Sequence, residues 1–375
     1  MKLVPRLARS AAIIALTAYS VAPLGAADDA PSAEAQVPLA PPSVVGQAAE
    51  LAQSSLTAPD AATRKRLLAK AQTLLETFLE ETPTHPDAPQ VEMQLGAVLV
   101  AAGRGLAGDA ATAAEPAPRE ELLSEARRML VAAETRLAVA IDQFRSAAKP
   151  GSQGHGDPNS TAMKRRNAAR GYLMQSLMYY AGAREELALT YPVDSAEARD
   201  SFQVAADRYD QIYKDYRTFL AGLTARLKQG QCYKQLGDTR RALGLYNDLL
   251  TQPDDLPVLH RLRVSAMYLS LECWTTEQEK LYELAFSQGE EYLSGLRPEE
   301  KSWPEWQAVR YYTALGYRLA ADAQPESKPA AQREADRRSW LEAAGSHAAE
   351  LAEEAGPYQA AAGELAAAVE QLRQQ

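Results

Sequence analysis

The chain has few side chains able to run chemistry. Its four histidines are scattered: His85 precedes Pro86, His155 lies in a Gly-rich stretch, and His260 and His347 fall in separate helical segments. A metal ion needs ligands that converge on one point, and no two of these are spaced to share an ion. There is no phosphate-cradling Gly-rich loop, no Gly-x-Ser-x-Gly elbow and no Cys-x2-Cys pair. Catalytic residues, metal and cofactor are therefore each read as none. What remains is contact chemistry. Tyr179-Tyr180 and Tyr311-Tyr312 are adjacent, and neighbours on a helix point in different directions. One of each pair should face a groove, a neighbour or solvent, which makes Tyr180 and Tyr312 contact candidates. The run Lys164-Arg165-Arg166 with Arg170 suits an acidic partner or a solvated helix face, and Glu290-Glu291 and Glu353-Glu354 read as exposed faces.

The overall charge narrows the ligand further. The 375 residues carry a formal charge of −9, and nucleic acids are held mainly by Lys and Arg, so a nucleic-acid partner is disfavoured. A content of 46% hydrophobic and 24% charged residues is that of a chain able to bury a core.

These residues must be positioned by the segments that follow. Residues 1–26 read as a secretory signal: Lys2, Arg6 and Arg9 begin it, Ala11 to Leu24 is apolar, and Gly25, Ala26 and Ala27 suit a signal peptidase. The apolar run is shorter than the roughly 20 residues of a spanning helix, so no stable membrane insertion is expected after cleavage. Loss of the three cations would take the charge from −9 to −12. Residues 27–42, rich in Ala, Pro and Ser, read as a disordered lead-in.

Beyond them the pattern is helix after helix. Leu67, Leu68, Ala71, Leu74, Leu75, Phe78 and Leu79 recur every three or four residues and end at Thr82-Pro83. Gly105 to Pro118 is expected to be a loop, followed by a long helix from about Arg119 to Pro150. Further helices are expected at 161–190, 196–219, 221–236, 239–251, 257–275, 278–295, 304–322, 331–355 and 357–373. No run alternates long enough for a strand, so the fold class is all-α, built of antiparallel helix pairs.

An internal repeat organises them. Gly230, Tyr233, Gly237, Ala242 and Tyr246 form a small-x2-Tyr-x3-Gly-x4-Ala-x3-Tyr series, closed by Pro253. Ala205, Tyr209 and Ile212 reproduce Ala242, Tyr246 and Leu249 at an offset of 37. Ala71, Leu75, Phe78, Gly96, Leu99 and Gly103 match Ala205, Tyr209, Ile212, Gly230, Tyr233 and Gly237 at one constant offset of 134. A looser copy holds Ala285, Tyr292, Leu315, Gly316 and Leu319. This pattern resembles the tetratricopeptide repeat over about residues 60–104 and 200–325. The resemblance implies a right-handed α-solenoid of helix hairpins with elongated helices, in which small residues permit close approach and the tyrosines fill the gaps. It divides the chain into an N-terminal region 43–150, a Gly/Pro loop 151–160, central repeats 161–325 and Ala-rich capping helices 326–375.

In that family partners lie on the concave face. The resemblance places Thr224, Leu227, Gln231 and Lys234 there. Family members that grip a peptide carboxylate carry Lys and Asn where Leu227 and Gln231 stand, so that clamp is absent. The expected partner is an extended or helical segment of another protein, and the protein is read as a non-catalytic scaffold in the periplasm or outside the cell. A helical solute-binding protein or enzyme with a site in the groove is the alternative. Cys232 and Cys273, 41 residues apart, either bridge adjacent hairpins in an oxidising compartment or are two buried thiols.

Overall fold

The computed structural model describes residues 43–149, 160–253 and 256–374. The expected signal, the lead-in, His155 and most of the 151–160 loop lie outside them. The described residues form helices and turns, with no strand among them. None of these helices is long and apolar enough to cross a membrane.

The chain divides into two compact units between Leu236 and Gly237. That division falls inside the segment read as central repeats. The first unit holds seven helices: α1 Val44–Leu56, α2 Ala61–Glu81, α3 Ala88–Thr112, α4 Pro116–Ala147, α5 Thr161–Leu189, α6 Ala196–Tyr216 and α7 Leu220–Gln235. Their starts are chemically marked. The side chains of Ser43, Asp60, Ser160 and Ser195 accept hydrogen bonds from the amides of Gly46, Thr63, Met163 and Ala198, which occupy otherwise orphaned donors. At Asp60 that amide bond holds the carboxyl below its ordinary range. The stop at Thr82 is as expected, with its hydroxyl donating to the Phe78 carbonyl at 2.7 Å.

One segment departs from the sequence reading. α3 continues through Gly103, Gly105 and Gly108 to Thr112, so Gly105 to Pro118 is mostly helix and α4 begins at Pro116. Leu106 and Ala110 keep the buried stripe going. Gly103 also earns its place in mid-helix, because a Cβ there would stand 2.6 Å from Leu130 Cγ. Gly96, one heptad earlier, meets Leu137 in the same way at 2.5 Å. The pairs 96 with 137 and 103 with 130 run in opposite directions, so α3 and α4 are antiparallel and in close contact. The 134-residue register therefore does not carry local structure throughout. Gly103 is helical, whereas its counterpart Gly237 has φ +80° and ends α7 in a turn.

The remaining helices of this unit pack on their chain neighbours, and α1, α3, α5 and α7 each touch the next member of that series. The undescribed stretch after Lys149 does not separate two bodies, because α4 and α5 pack against each other. Arg127 reaches Thr190, Glu134 reaches Arg184, and the rings of Phe144 and Tyr172 lie 5.3 Å apart.

The second unit holds α8 Thr239–Leu250, α9 Pro257–Trp274, α10 Tyr282–Ser294, α11 Pro304–Asp322, α12 Ala330–Glu353 and α13 Gln359–Arg373, with a short 3-10 turn at Pro298–Glu300. Asp238 caps α8 by accepting from the Arg241 amide at 3.0 Å. α11 contacts α9, α10, α12 and α13. That enclosure buries both Tyr311 and Tyr312, so of the three surroundings expected for one of the pair, groove, neighbour or solvent, it is a neighbour that is met. Gly316 lies against Ala285 and the backbone of Tyr282 and Phe286, as a close-approach position requires.

Placing a branched side chain at Gly96 should overpack the α3–α4 contact. Gly96→Val is expected to lower stability by about 1–3 kcal/mol. Gly108→Ala, at an exposed helical position with open space around its Cβ, is expected to raise it by about 0.5–1 kcal/mol. Urea unfolding of both variants checks this, and an unchanged Gly96→Val midpoint would reject the close approach.

Candidate functional site

The most concentrated chemistry of the first unit is a set of charges inside it. Glu134 occupies the apolar stripe of α4, four residues after Leu130 and three before Leu137, and is buried. Its two carboxylate oxygens accept from Arg184 of α5, at 2.9 Å from Nε and 2.6 Å from Nη2. Arg208 of α6 donates to the same carboxylate and also to the Tyr180 carbonyl at 2.9 Å. The Arg208 guanidinium covers the Tyr180 ring at 3.7 Å. One buried acid thus joins three helices through forked, charge-assisted bonds, which are stronger than neutral ones.

A second group sits on the same turn of α5, immediately after Arg184. Glu185 accepts from the Tyr209 hydroxyl at 2.7 Å and from Lys228 Nζ of α7 at 3.3 Å. Glu186 accepts from Arg104 Nε of α3 at 2.7 Å. The Glu186 charge is the main reason that the Arg104 guanidinium holds its proton more tightly than usual. Together the two groups link α3, α4, α5, α6 and α7. Each of these three carboxylates is engaged by a cation, so none is set up as a free general base.

The second unit has its own buried ion pairs. Arg261 of α9 forks onto Glu305 of α11 at 3.0 and 3.2 Å, with the Trp303 ring 5.3 Å from its guanidinium. His260 Nε2 lies 3.0 Å from Glu300, and its ring is flanked by Trp303 and Trp306. Farther along, Glu290 accepts from Tyr317 at 3.0 Å and lies 2.8 Å from His347 Nε2. Burial first, and then the Glu290 charge, push the Tyr317 phenol up to about 12. Burial also pushes Tyr312 well above its ordinary value, with Glu272 adding to the effect. Among the described residues no group of three or more His, Cys, Asp and Glu is placed to hold a metal ion.

The residues chosen from sequence fall into two classes. Gly96, Leu99, Gly103, Ala205, Tyr209, Gly230, Tyr233, Ala242, Tyr246 and Gly316 are buried, and Gly237 forms the turn between α7 and α8. Of the contact residues, Gln231, Lys234 and Tyr180 are half-buried and retain surface. Thr224, Leu227 and Tyr312 are buried, which removes them as partner contacts: Thr224 and Leu227 belong to the packed side of α7, and Tyr312 lies among Tyr311, Tyr358 and Glu272. Cys232 and Cys273 are buried thiols rather than a disulfide, and they belong to different units. The sequence reading missed Glu134, Glu185, Glu186 and the cations that engage them. The available signal was a charged residue inside an apolar stripe, as Glu134 is between Leu130 and Leu137.

Compared with known proteins, the chain matches no protein-family model and no curated protein sequence.

Two outcomes follow from this geometry. Glu134→Gln is expected to cost about 1.5–3 kcal/mol, because two arginines lose a charged acceptor. Glu120→Gln, whose carboxylate pairs with Arg127 at 2.7 Å but is 65% exposed, should change stability by less than about 0.5 kcal/mol. Equal effects of the two in urea unfolding would contradict the role given to Glu134. For the thiols, burial pushes the Cys232 group well above its ordinary value, so it should resist disulfide reagents in the folded protein at pH 8. After unfolding without reductant two thiols should titrate, and fewer than two would restore the bridge.

Proposed function

We propose that this protein is an exported helical-repeat scaffold, similar to the tetratricopeptide class, that holds a segment of another protein in the cell envelope. The observation carrying this reading is the contact series α1, α3, α5 and α7, in which every second helix touches the next of its kind. In repeat stacks of this sort one helix of each hairpin lines a shared face, and we read the stack as right-handed. The half-buried Gln231 and Lys234 on α7 and Tyr180 on α5 belong to that series and supply polar and aromatic contact. Non-catalytic function is favoured because the three buried acids of the first unit, Glu134, Glu185 and Glu186, are committed to neighbouring cations and tie the helices together. Export rests on the basic and apolar pattern of residues 1–26.

The test is recovery of a partner. Full-length protein with a C-terminal tag, cross-linked in cells and purified from the envelope fraction, should bring down a specific protein. The double variant Gln231→Ala, Lys234→Ala should recover less than about a third as much at an unchanged melting temperature, a loss of the size expected when surface contacts are truncated. Recovery of no protein, or of equal amounts by both forms, would refute the scaffold reading. Amino-terminal sequencing of the purified chain should begin near Ala27.

A further inference from the structure

The first unit separates its charges along α5. Lys164, Arg165, Arg166 and Arg170 occupy its opening turns, and no acid follows until Glu185. This placement works against the helix. The N-terminal end of a helix dipole is positive and favours anions, yet the first turn of α5 holds no acid and is followed at once by three cations. Arg166 and Arg170 are a like-charged i, i+4 pair, which also disfavours the helix. Elsewhere in this unit most arginines are bonded to carboxylates, as Arg64, Arg104, Arg127, Arg136, Arg184 and Arg208 are. Lys164, Arg165 and Arg170 are exposed and have no carboxylate within ion-pair distance among the described residues.

Neighbouring helix ends add to the cluster. Phe144 lies beside Tyr172, so the end of α4 brings Lys149, also exposed and without such a partner, to the opening of α5. The Arg170 guanidinium lies 4.8 Å from the Phe219 ring and 6.0 Å from that of Tyr216, which brings Arg217 alongside. Two acids also lie at this end, Asp142, paired with Arg145 at 3.3 Å, and Asp215, which accepts from the neutral Gln211 amide at 3.0 Å and keeps its charge, so the cations outnumber the uncompensated acid. The result is five exposed cations, Lys149, Lys164, Arg165, Arg170 and Arg217, around two half-buried aromatic rings, on a chain whose formal charge is −9.

We propose that this end of the first unit docks an Asp- and Glu-rich segment of a partner protein, at a site separate from the face built by α1, α3, α5 and α7. Arginine forks onto carboxylates in two-point geometry, and Arg165, Arg170 and Arg217 offer three such forks. The aromatic rings hold the Arg170 plane in place beneath them. An anionic bilayer is the weaker fit. Membrane contact by a protein surface gains from exposed apolar side chains beside the cations, and of the large exposed apolar residues Leu189 and Val193 lie at the far end of α5 and Val131 sixteen residues before the end of α4.

The probe is a fluorescein-labelled oligoglutamate peptide, titrated with full-length protein at low and at physiological salt. Binding is expected to weaken roughly tenfold or more between the two, since exposed charges are screened. The double variant Lys164→Glu, Arg165→Glu should abolish binding while keeping or raising the melting temperature, because acids now stand at the start of α5. A matched reversal, Lys65→Glu, Lys70→Glu, at the opening of α2 should leave binding unchanged. No binding by the parent protein, or equal loss in both variants, overturns the proposal. So does stronger binding to phosphatidylcholine vesicles containing phosphatidylglycerol than to the peptide, which would assign the cluster to a membrane surface. Because the cross-linking face is untouched by the α5 reversal, the scaffold reading and this one fail independently.

Discussion

The first unit depends on the Glu134 carboxylate. A buried acid is costly unless it is paired and hydrogen-bonded, and Glu134 is both, receiving Arg184 from α5 and Arg208 from α6. Its position in the α4 stripe means that the helix cannot bury its apolar side chains without also burying the charge. Packing α4 against α5 therefore requires Arg184, and Arg208 reaching across from α6, to arrive together. Such a constraint adds little net stability over an apolar alternative, but it strongly disfavours a shifted register, in which the acid would be left without its arginines.

The neighbouring Glu185 and Glu186 extend this logic to both sides of α5. Lys228 and Tyr209 approach one acid from α7 and α6, and Arg104 approaches the other from α3. Ordinary apolar packing does the rest. Gly96 and Gly103 allow α4 to close onto α3, and the leucines they receive are themselves fully buried. Non-directional burial and directional ion pairs thus have different roles: the first draws the helices together, and the second selects their alignment. The exposed cations at the start of α5 stand outside this scheme, which is why they are read as a surface for another molecule.

Most element boundaries could be read from the chain because their causes are local. Apolar period, capping side chains and proline positions placed α2 and most helices from α5 onward within a few residues. The exception is instructive. Gly105 to Pro118 looks like a loop because glycine disfavours helix in isolation, yet α3 runs through most of it. The compensating contact, Gly103 against Leu130, is made by a residue 27 positions away, and no local rule contains it. The same limit applies to the contact residues. Thr224 and Leu227 share α7 with Gln231 and Lys234, but only the neighbours of each face decide which pair stays at the surface. Tyr311 and Tyr312 likewise point in different directions and are both enclosed, because α11 has helices on several sides.

By itself, then, the sequence determined that this chain is all-α, where most of its helices begin and end, that its charge is negative, and that its few His and Cys are dispersed. Those properties follow from period, caps and composition, which act over a few residues. The tertiary structure decided which charges are buried, which tyrosines remain accessible, and that the chain divides into its two compact units between Leu236 and Gly237. The burial of charges depends on pairings between residues tens of positions apart, such as Glu134 with Arg184 and Arg208. The free energy of such a pairing exists only after the chain has closed around it.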